Sequence, residues 1–411
     1  MQKRVSKKDS LLFNTNFMRY LAIRWFNSFA VQAINLTVGW QIYNLTGNPL
    51  DLGLIGLAQF APIFLLILPA GLIADKYNRK YVTILTNIIH VFVAAYLLYY
   101  SFSEMTTIYP VLFILCIHGI ARAIYQPSMS SILPNIVSVD LFPRAVSYYS
   151  SVSKLGHLAG PVIAGILIAY IDNWVYLVAS ISFFISVIFG FLLQNPKTAT
   201  NLKKITIKIL FGGFAYVWKT KIVLGTITID LAAVLFSGIM GMLPVFAVDI
   251  LKIGPEGLGM LRSMPAVGGV VTGILLTQLP PIKNAGKVLI YSTIVFGVAT
   301  IIFSLSTILW LSLIMLVIYG AADMISVNIR NSIVPIITPD NMRGRVGAVH
   351  SLATNASNEI GDFRAGLTAS FIGTVPAIFI GGVVTITLSA MWWFLFPDLK
   401  NIKNIKDLEK K

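Results

Sequence analysis

Twelve apolar runs, each long enough to cross a bilayer as a helix, constrain this chain more than any other feature. They lie at roughly 20–43, 52–74, 81–101, 109–133, 146–171 and 174–193, then at 222–248, 258–278, 288–306, 309–335, 346–372 and 376–396. A spanning helix needs about 20 mostly apolar residues, because lipid offers no partner to an unpaired backbone amide. Bulk composition agrees: 56% of the 411 residues are hydrophobic and 11% are charged, where a soluble domain carries about 25% charge. The expectation is an all-α membrane protein.

Charge then orients it. Of 31 basic residues, six fall inside the runs (Arg24, Arg122, Lys154, Arg262, Arg330, Arg364) and Lys252 alone falls in an outside loop if the N-terminus is inside. The other twenty-four gather at the N-terminus, in the even-numbered loops, in the central connection and in the tail. That asymmetry is the positive-inside pattern, with both termini cytoplasmic. The net charge of +15 therefore faces anionic headgroups, and the lipid bilayer, not nucleic acid, is the expected partner. Cys116 is the only cysteine and the four histidines are scattered, so neither a disulfide framework nor a metal site is expected. No cleavable signal peptide is expected either, since the first run is too long and lacks a small-residue cleavage site.

The polar stretch 194–221 divides the chain into an N-terminal six-helix bundle, 1–193, and a C-terminal one, 222–396, followed by a basic tail, 397–411. Within it, 205–219 has the pattern of an interfacial amphipathic helix, with Phe211, Phe214 and Trp218 on one face. A plain tether is the alternative. The halves also repeat. A shift of 201 residues lays His118-Gly119-Ile-Ala-Arg122 on Tyr319-Gly320-Ala-Ala-Asp323, Pro134 on Pro335, Arg144 on Arg345, Gly160 on Gly361 and Gly165 on Gly366.

Ionised side chains inside the runs are the functional candidates, since charge at mid-bilayer costs several kcal/mol unless paired or hydrated. Arg122 and Asp323 occupy equivalent repeat positions, each about 20 Å into its helix at ~1.5 Å per residue. Asp230 and Glu359 lie near mid-depth of the seventh and eleventh runs. Burial favours a neutral carboxylic acid and a neighbouring base favours its charged form, so such acids can carry protons; a permanent ion pair that holds helices together is the competing reading. Asp362 leans further towards that reading. Arg24 and Arg262 sit within two turns of a run's end and are expected to snorkel. Arg364 is expected to pair with Asp362 or Glu359. In Gly156-His157-Leu-Ala-Gly160-Pro161-Val-Ile-Ala-Gly165 the small residues recur every four or five positions, which lets helix backbones approach, and Pro161 supplies a bend. His157 is read as a hydrogen-bonded packing residue. Nothing matches a nucleotide-binding loop or a nucleophile elbow.

One short turn carries a family signature. Gly71-Leu-Ile-Ala-Asp75-Lys76-Tyr77-Asn78-Arg79-Lys80 closely resembles the loop after the second helix in the major facilitator superfamily. Asn78 stands at its usual glycine, and Asn also tolerates a left-handed backbone. Arg122 in Gly119-Ile-Ala-Arg-Ala-Ile-Tyr-Gln126-Pro127 is similar to the fourth-helix arginine motif, and Gly156–Gly165 to the fifth-helix motif of the antiporter branch. Ile229-Asp230-Leu-Ala-Ala, Leu243-Pro-Val-Phe-Ala-Val-Asp249 and Asn341-Met-Arg-Gly-Arg345 look like the enterobactin-exporter-like branch.

The resemblance implies the major facilitator fold: twelve transmembrane helices as two pseudo-symmetric six-helix bundles in a bacterial cytoplasmic membrane. It implies a monomer without cofactor, driven by the proton gradient, that exports a siderophore or other amphipathic small molecule by alternating access. Its cavity would be lined by helices one, four, seven and ten. Asp75 would latch onto the helix start near Gly344–Val346 and nearby Arg144, with Lys76, Arg79 and Lys80 beside it. Uptake, lipid flipping and a non-transporting sensor or scaffold remain open alternatives.

Overall fold

The computed structural model describes residues 11–103, 107–194 and 207–403. The extreme termini and residues 195–206 lie outside them. Membrane-length helices follow one another: α1 Thr15–Thr46, α2 Pro49–Lys76, α3 Arg79–Phe102, α4 Tyr109–Ser130, α5 Phe142–Ile171 and α6 Val175–Leu192. After the connection come α7 Lys221–Ser237, α8 Pro255–Gln278, α9 Ala285–Leu305, α10 Leu309–Ile337, α11 Asp340–Ile372 and α12 Thr374–Leu395. Among the described residues nine stretches are long and apolar enough to cross a membrane, one of which, Phe142–Leu192, runs through α5 and α6. Helices α1 and α11 stand outside that set, although they are 32 and 33 residues long. Each carries several amide or charged side chains. The protein is a multi-pass membrane protein whose outer faces expose large apolar residues such as Phe113, Phe371 and Phe394.

Contacts gather into two compact units, residues 1–38 with 58–205, and residues 39–57 with 206–411. The first residues of α2 thus belong with the C-terminal helices, where α11 closes on Gly53: a Cβ added there would stand 3.1 Å from the Phe363 Cα.

The internal repeat is visible in glycine contacts. Gly119 of α4 sits on the Gln59 backbone of α2, and its counterpart Gly320 of α10 sits on the Pro265 backbone of α8. A Cβ added at either would approach those Cα atoms to 3.2 and 2.6 Å. In the same way a Cβ added at Gly160 of α5 would stand 2.8 Å from the Gln32 Cβ of α1, and one added at its counterpart Gly361 of α11 would stand 3.2 Å from the Leu235 Cα of α7. Within each unit the third helix also packs on the fourth and sixth. Small residues set these close approaches because a Cβ would force the backbones apart. Gly320→Val should therefore destabilise the C-terminal unit by several kcal/mol, beyond the ~1–3 kcal/mol of ordinary overpacking, because carbonyls cannot move aside. Gly71→Ala, with nothing among the described residues within 4 Å of its added Cβ, should leave the melting temperature in detergent unchanged or raise it, by up to ~1 kcal/mol of helix propensity.

Gly71 lies inside α2, so it breaks no helix. Asn78 is not left-handed: at φ −64° and ψ 114° it caps α3, its side chain accepting from the Lys80 amide at 3.0 Å. An N-cap needs an acceptor on an extended residue, and Asn supplies one where Gly would not. Ile207–Lys219 is helical and docks on α11 and α7. The Tyr216 hydroxyl donates to the Ile337 carbonyl at 3.0 Å and Val217 is buried, while Phe214 and Trp218 stay exposed. Phe211 lies outside the described side chains.

Helix α7 ends abruptly. Gly238 turns left-handed at φ +58°, and the chain continues through Ile239–Val245 and a π-helical turn, Phe246–Ile250. A broken helix leaves carbonyls that lipid cannot satisfy. Arg364 of α11 takes them, donating to Leu235 and Phe236 at 3.0 and 2.6 Å. Arg364 thus gives donors to backbone, while Asp362 stays within its electrostatic reach.

Candidate functional site

The C-terminal unit holds a buried charge cluster built by α7 and α10. Arg330, 2% exposed, forms a close ion pair with Asp230, whose side chain is 5% exposed. Its other Nη lies 3.8 Å from Asp323. Asp323 and Arg330 are seven residues apart on α10, two helical turns, so they project from one face. Asp230 arrives from α7, where the small residues Ala232 and Ala233 are buried alongside. A cavity of about 10 Å³, the size of a single water, lies between Asp230, Asp323, Thr293 and Ser326. The Ser326 hydroxyl, buried, has no hydrogen-bond partner there, and neither has the Arg330 Nε.

The sequence reading brings out Asp230 and Asp323 but gives Arg330 no role. The two-turn spacing from Asp323 is the signal that points to it.

Other candidates separate from this cluster. Glu359 and Asp362 stand on α11, with Arg262 of α8 in electrostatic reach of both. Gly241 lies against Asp362, where an added Cβ would meet its Cβ at 2.8 Å. Arg262 points inward to the Met240 carbonyl at 3.4 Å. Arg24 likewise does not snorkel: buried, it donates to Ser153 and Gln126 at 2.8 and 2.9 Å and lies over the Tyr149 ring. Polar partners on α4 and α5 hold both the charge and its hydrogen bonds, so nothing draws it to the interface. Arg122 donates to Gln59 at 2.9 Å, joining α4 to α2. His157 bonds Gln32 of α1, as its packing role requires. A Cβ added at Gly156 would stand 2.8 Å from the Ser28 Cβ, and Pro161 and Gly165 are buried in the same helix.

The loop residues face different ways. Arg79 is buried, donating to the Ser131 and Ala74 carbonyls at 3.3 and 3.4 Å. Lys80 reaches the Phe191 carbonyl at 2.9 Å, Lys76 lies over the Tyr77 ring, and Arg144 is exposed. The Asp75 side chain lies outside those described.

A histidine pair escaped the sequence reading. His90 of α3 and His118 of α4 are fully buried, with ring centroids 4.5 Å apart and Phe183 against them. Among the described residues none of their four ring nitrogens has a hydrogen-bond partner. Each orphaned polar group costs about 1–3 kcal/mol. The double substitution His90→Leu, His118→Leu should therefore melt no lower than wild type in detergent; a fall beyond about 5 °C would show that the imidazoles are stabilising.

The profile of the transmembrane secretion effector family matches residues 14–409. The chain is 24% identical to the staphyloferrin A transporter of Staphylococcus aureus, over 94% of this chain and 96% of that one. It is 24% identical to the multidrug efflux pump Tap of Mycolicibacterium fortuitum, over 85% and 90%, and 18% identical to the enterobactin exporter EntS of Citrobacter koseri, over 94% and 93%. Among solved structures, the nucleoside transporter NupG superposes with a TM-score of 0.77 at 13% identity, over 93% of this chain and 99% of that one. That likeness shows the fold, and the family match shows the kind of protein. The chain belongs to the transmembrane secretion effector family of the major facilitator superfamily, and it is a membrane transporter, not an enzyme.

Proposed function

We propose that the protein is a proton-coupled exporter of a siderophore or other amphipathic small molecule, working by alternating access from a cytoplasmic membrane with both termini inside. The observation that carries this reading is the single guanidinium of Arg330 set between the carboxylates of Asp230 and Asp323. The buried Arg330–Asp230 pair is already neutral, so Asp323, 3.8 Å from the guanidinium and 42% exposed, carries the surplus negative charge. A proton on one carboxylate removes the surplus. As helices α7 and α10 shift, the guanidinium trades one carboxylate for the other, and the acid it leaves takes up or releases the proton. Glu359 and Asp362, beside Arg262, form a second acid–base group that supports the same chemistry. The relatives named for a siderophore transporter, an enterobactin exporter and a drug efflux pump support the choice of cargo.

The test is flux into proteoliposomes with staphyloferrin A and enterobactin as separate probes. Export coupled to protons predicts that an acidic lumen drives uptake through inverted molecules. Uptake that ignores the pH gradient would sink the coupling, and uptake only through right-side-out molecules would reverse the direction.

A further inference from the structure

A second cavity, of about 240 Å³, borders Arg330, lined by Arg330 and Asn331 of α10 and His350, Ser351, Thr354 and Asn355 of α11. Both helices contribute it from the half nearest the α10–α11 turn, the end that the charge asymmetry places in the cytoplasm. Its wall offers a guanidinium, two carboxamides, two hydroxyls and an imidazole, and no carboxylate. The two acids of the cluster lie around the guanidinium, outside this wall. The Arg330 Nε, buried, has no hydrogen-bond partner, although a guanidinium with five donors ordinarily engages carboxylates through paired N–H groups. Drug-sized sites occupy about 300–1,000 Å³, so a smaller space suits one arm of a larger molecule.

We propose that this cavity is an anion-recognition subsite that receives a carboxylate-bearing, hydrogen-bonding arm of the cargo. The inference rests on the exporter reading and adds to it a chemical class and a place. An arriving carboxylate meets the guanidinium where it borders the cavity and competes for it with Asp323, 3.8 Å away. Asn331, Asn355, Ser351 and Thr354 supply hydrogen bonds to its oxygens or to neighbouring hydroxyls. Specificity follows from the donor-rich wall, which leaves a cationic arm without an acceptor of matching charge.

The experiment uses the one native cysteine to advantage. In full-length protein carrying Cys116→Ser and Ser351→Cys, the rate of labelling by neutral N-ethylmaleimide reports access to the wall. Tricarballylate at 10 mM is expected to slow labelling at least threefold. Its uncharged trimethyl ester and the cation spermidine should leave the rate unchanged, and so should tricarballylate on a Ser147→Cys reporter in the N-terminal unit. Adding Arg330→Gln should abolish protection; if that variant fails to fold, Asn355→Leu should weaken it. Equal protection by the ester or by spermidine, or none by tricarballylate, overturns the subsite. Proton-driven flux without protection sinks the subsite alone, whereas protection without proton-driven flux sinks the exporter reading alone.

Discussion

Arg330→Met is expected to destabilise the C-terminal unit by about 3–5 kcal/mol, the usual consequence of removing one partner of a buried ion pair. The guanidinium is 2% exposed and sits against an aspartate side chain that is 5% exposed, so little water can replace it. For a unit of this size each kcal/mol moves the melting temperature by about 2–4 °C, giving a fall of roughly 6–20 °C in detergent. Methionine fills the space of the aliphatic stem, so the loss reports the charge and not a cavity. Asp230→Leu alone should fall by a comparable amount, for it strands the guanidinium. The double variant should recover most of the loss, because a buried pair replaced together by apolar residues is often neutral. The size of that recovery is the coupling between the two sites. If Arg330→Met melts within about 2 °C of wild type, the pair does not hold α7 against α10.

Much of the architecture could be read before any coordinates. The helices lie where the apolar runs are, because in lipid a segment of that length has no other way to satisfy its backbone. The 201-residue repeat foretold that Gly119 and Gly320 do the same job, and each rests on a neighbouring helix's backbone. Side-chain partners were less legible. Whether Arg24 snorkels or turns inward depends on Ser153 and Gln126, 129 and 102 residues away. The Arg364 partner is set by the break at Gly238, which apolar patterning does not register. Asn78 reads in the sequence as a residue that tolerates a left-handed backbone, and only the extended backbone shows it to be a cap. Asp230 and Asp323 stood out because charge in a hydrophobic run is conspicuous. Arg330 was equally conspicuous, but pairing it with Asp230 requires knowing which faces of α7 and α10 meet. That is a property of the fold, not of either helix.

Replacing Asp323 with asparagine is expected to separate cargo movement from its driving force. The amide keeps the size and hydrogen bonding of a protonated carboxylic acid but can neither gain nor lose the proton. Asp323 lies at 3.8 Å from Arg330 with its side chain 42% exposed, so it is the member of the cluster best placed to meet water and to exchange. A pH difference of one unit stores about 1.4 kcal/mol per proton and supports a tenfold concentration ratio at one proton per cargo. Wild-type protein in proteoliposomes should therefore accumulate probe about tenfold per pH unit, or more with more protons. Asp323→Asn should fall to a ratio near one while retaining exchange of labelled for unlabelled probe at equal pH, since exchange requires no proton turnover. Asp230→Asn should lose exchange as well as accumulation, because it dissolves the ion pair that orders α7 on α10. Glu359→Gln tests the second acid–base group by the same two assays. Wild-type pH dependence in all three variants would remove proton coupling from these acids altogether. Loss of accumulation in Glu359→Gln alone would move it from α10 to α11.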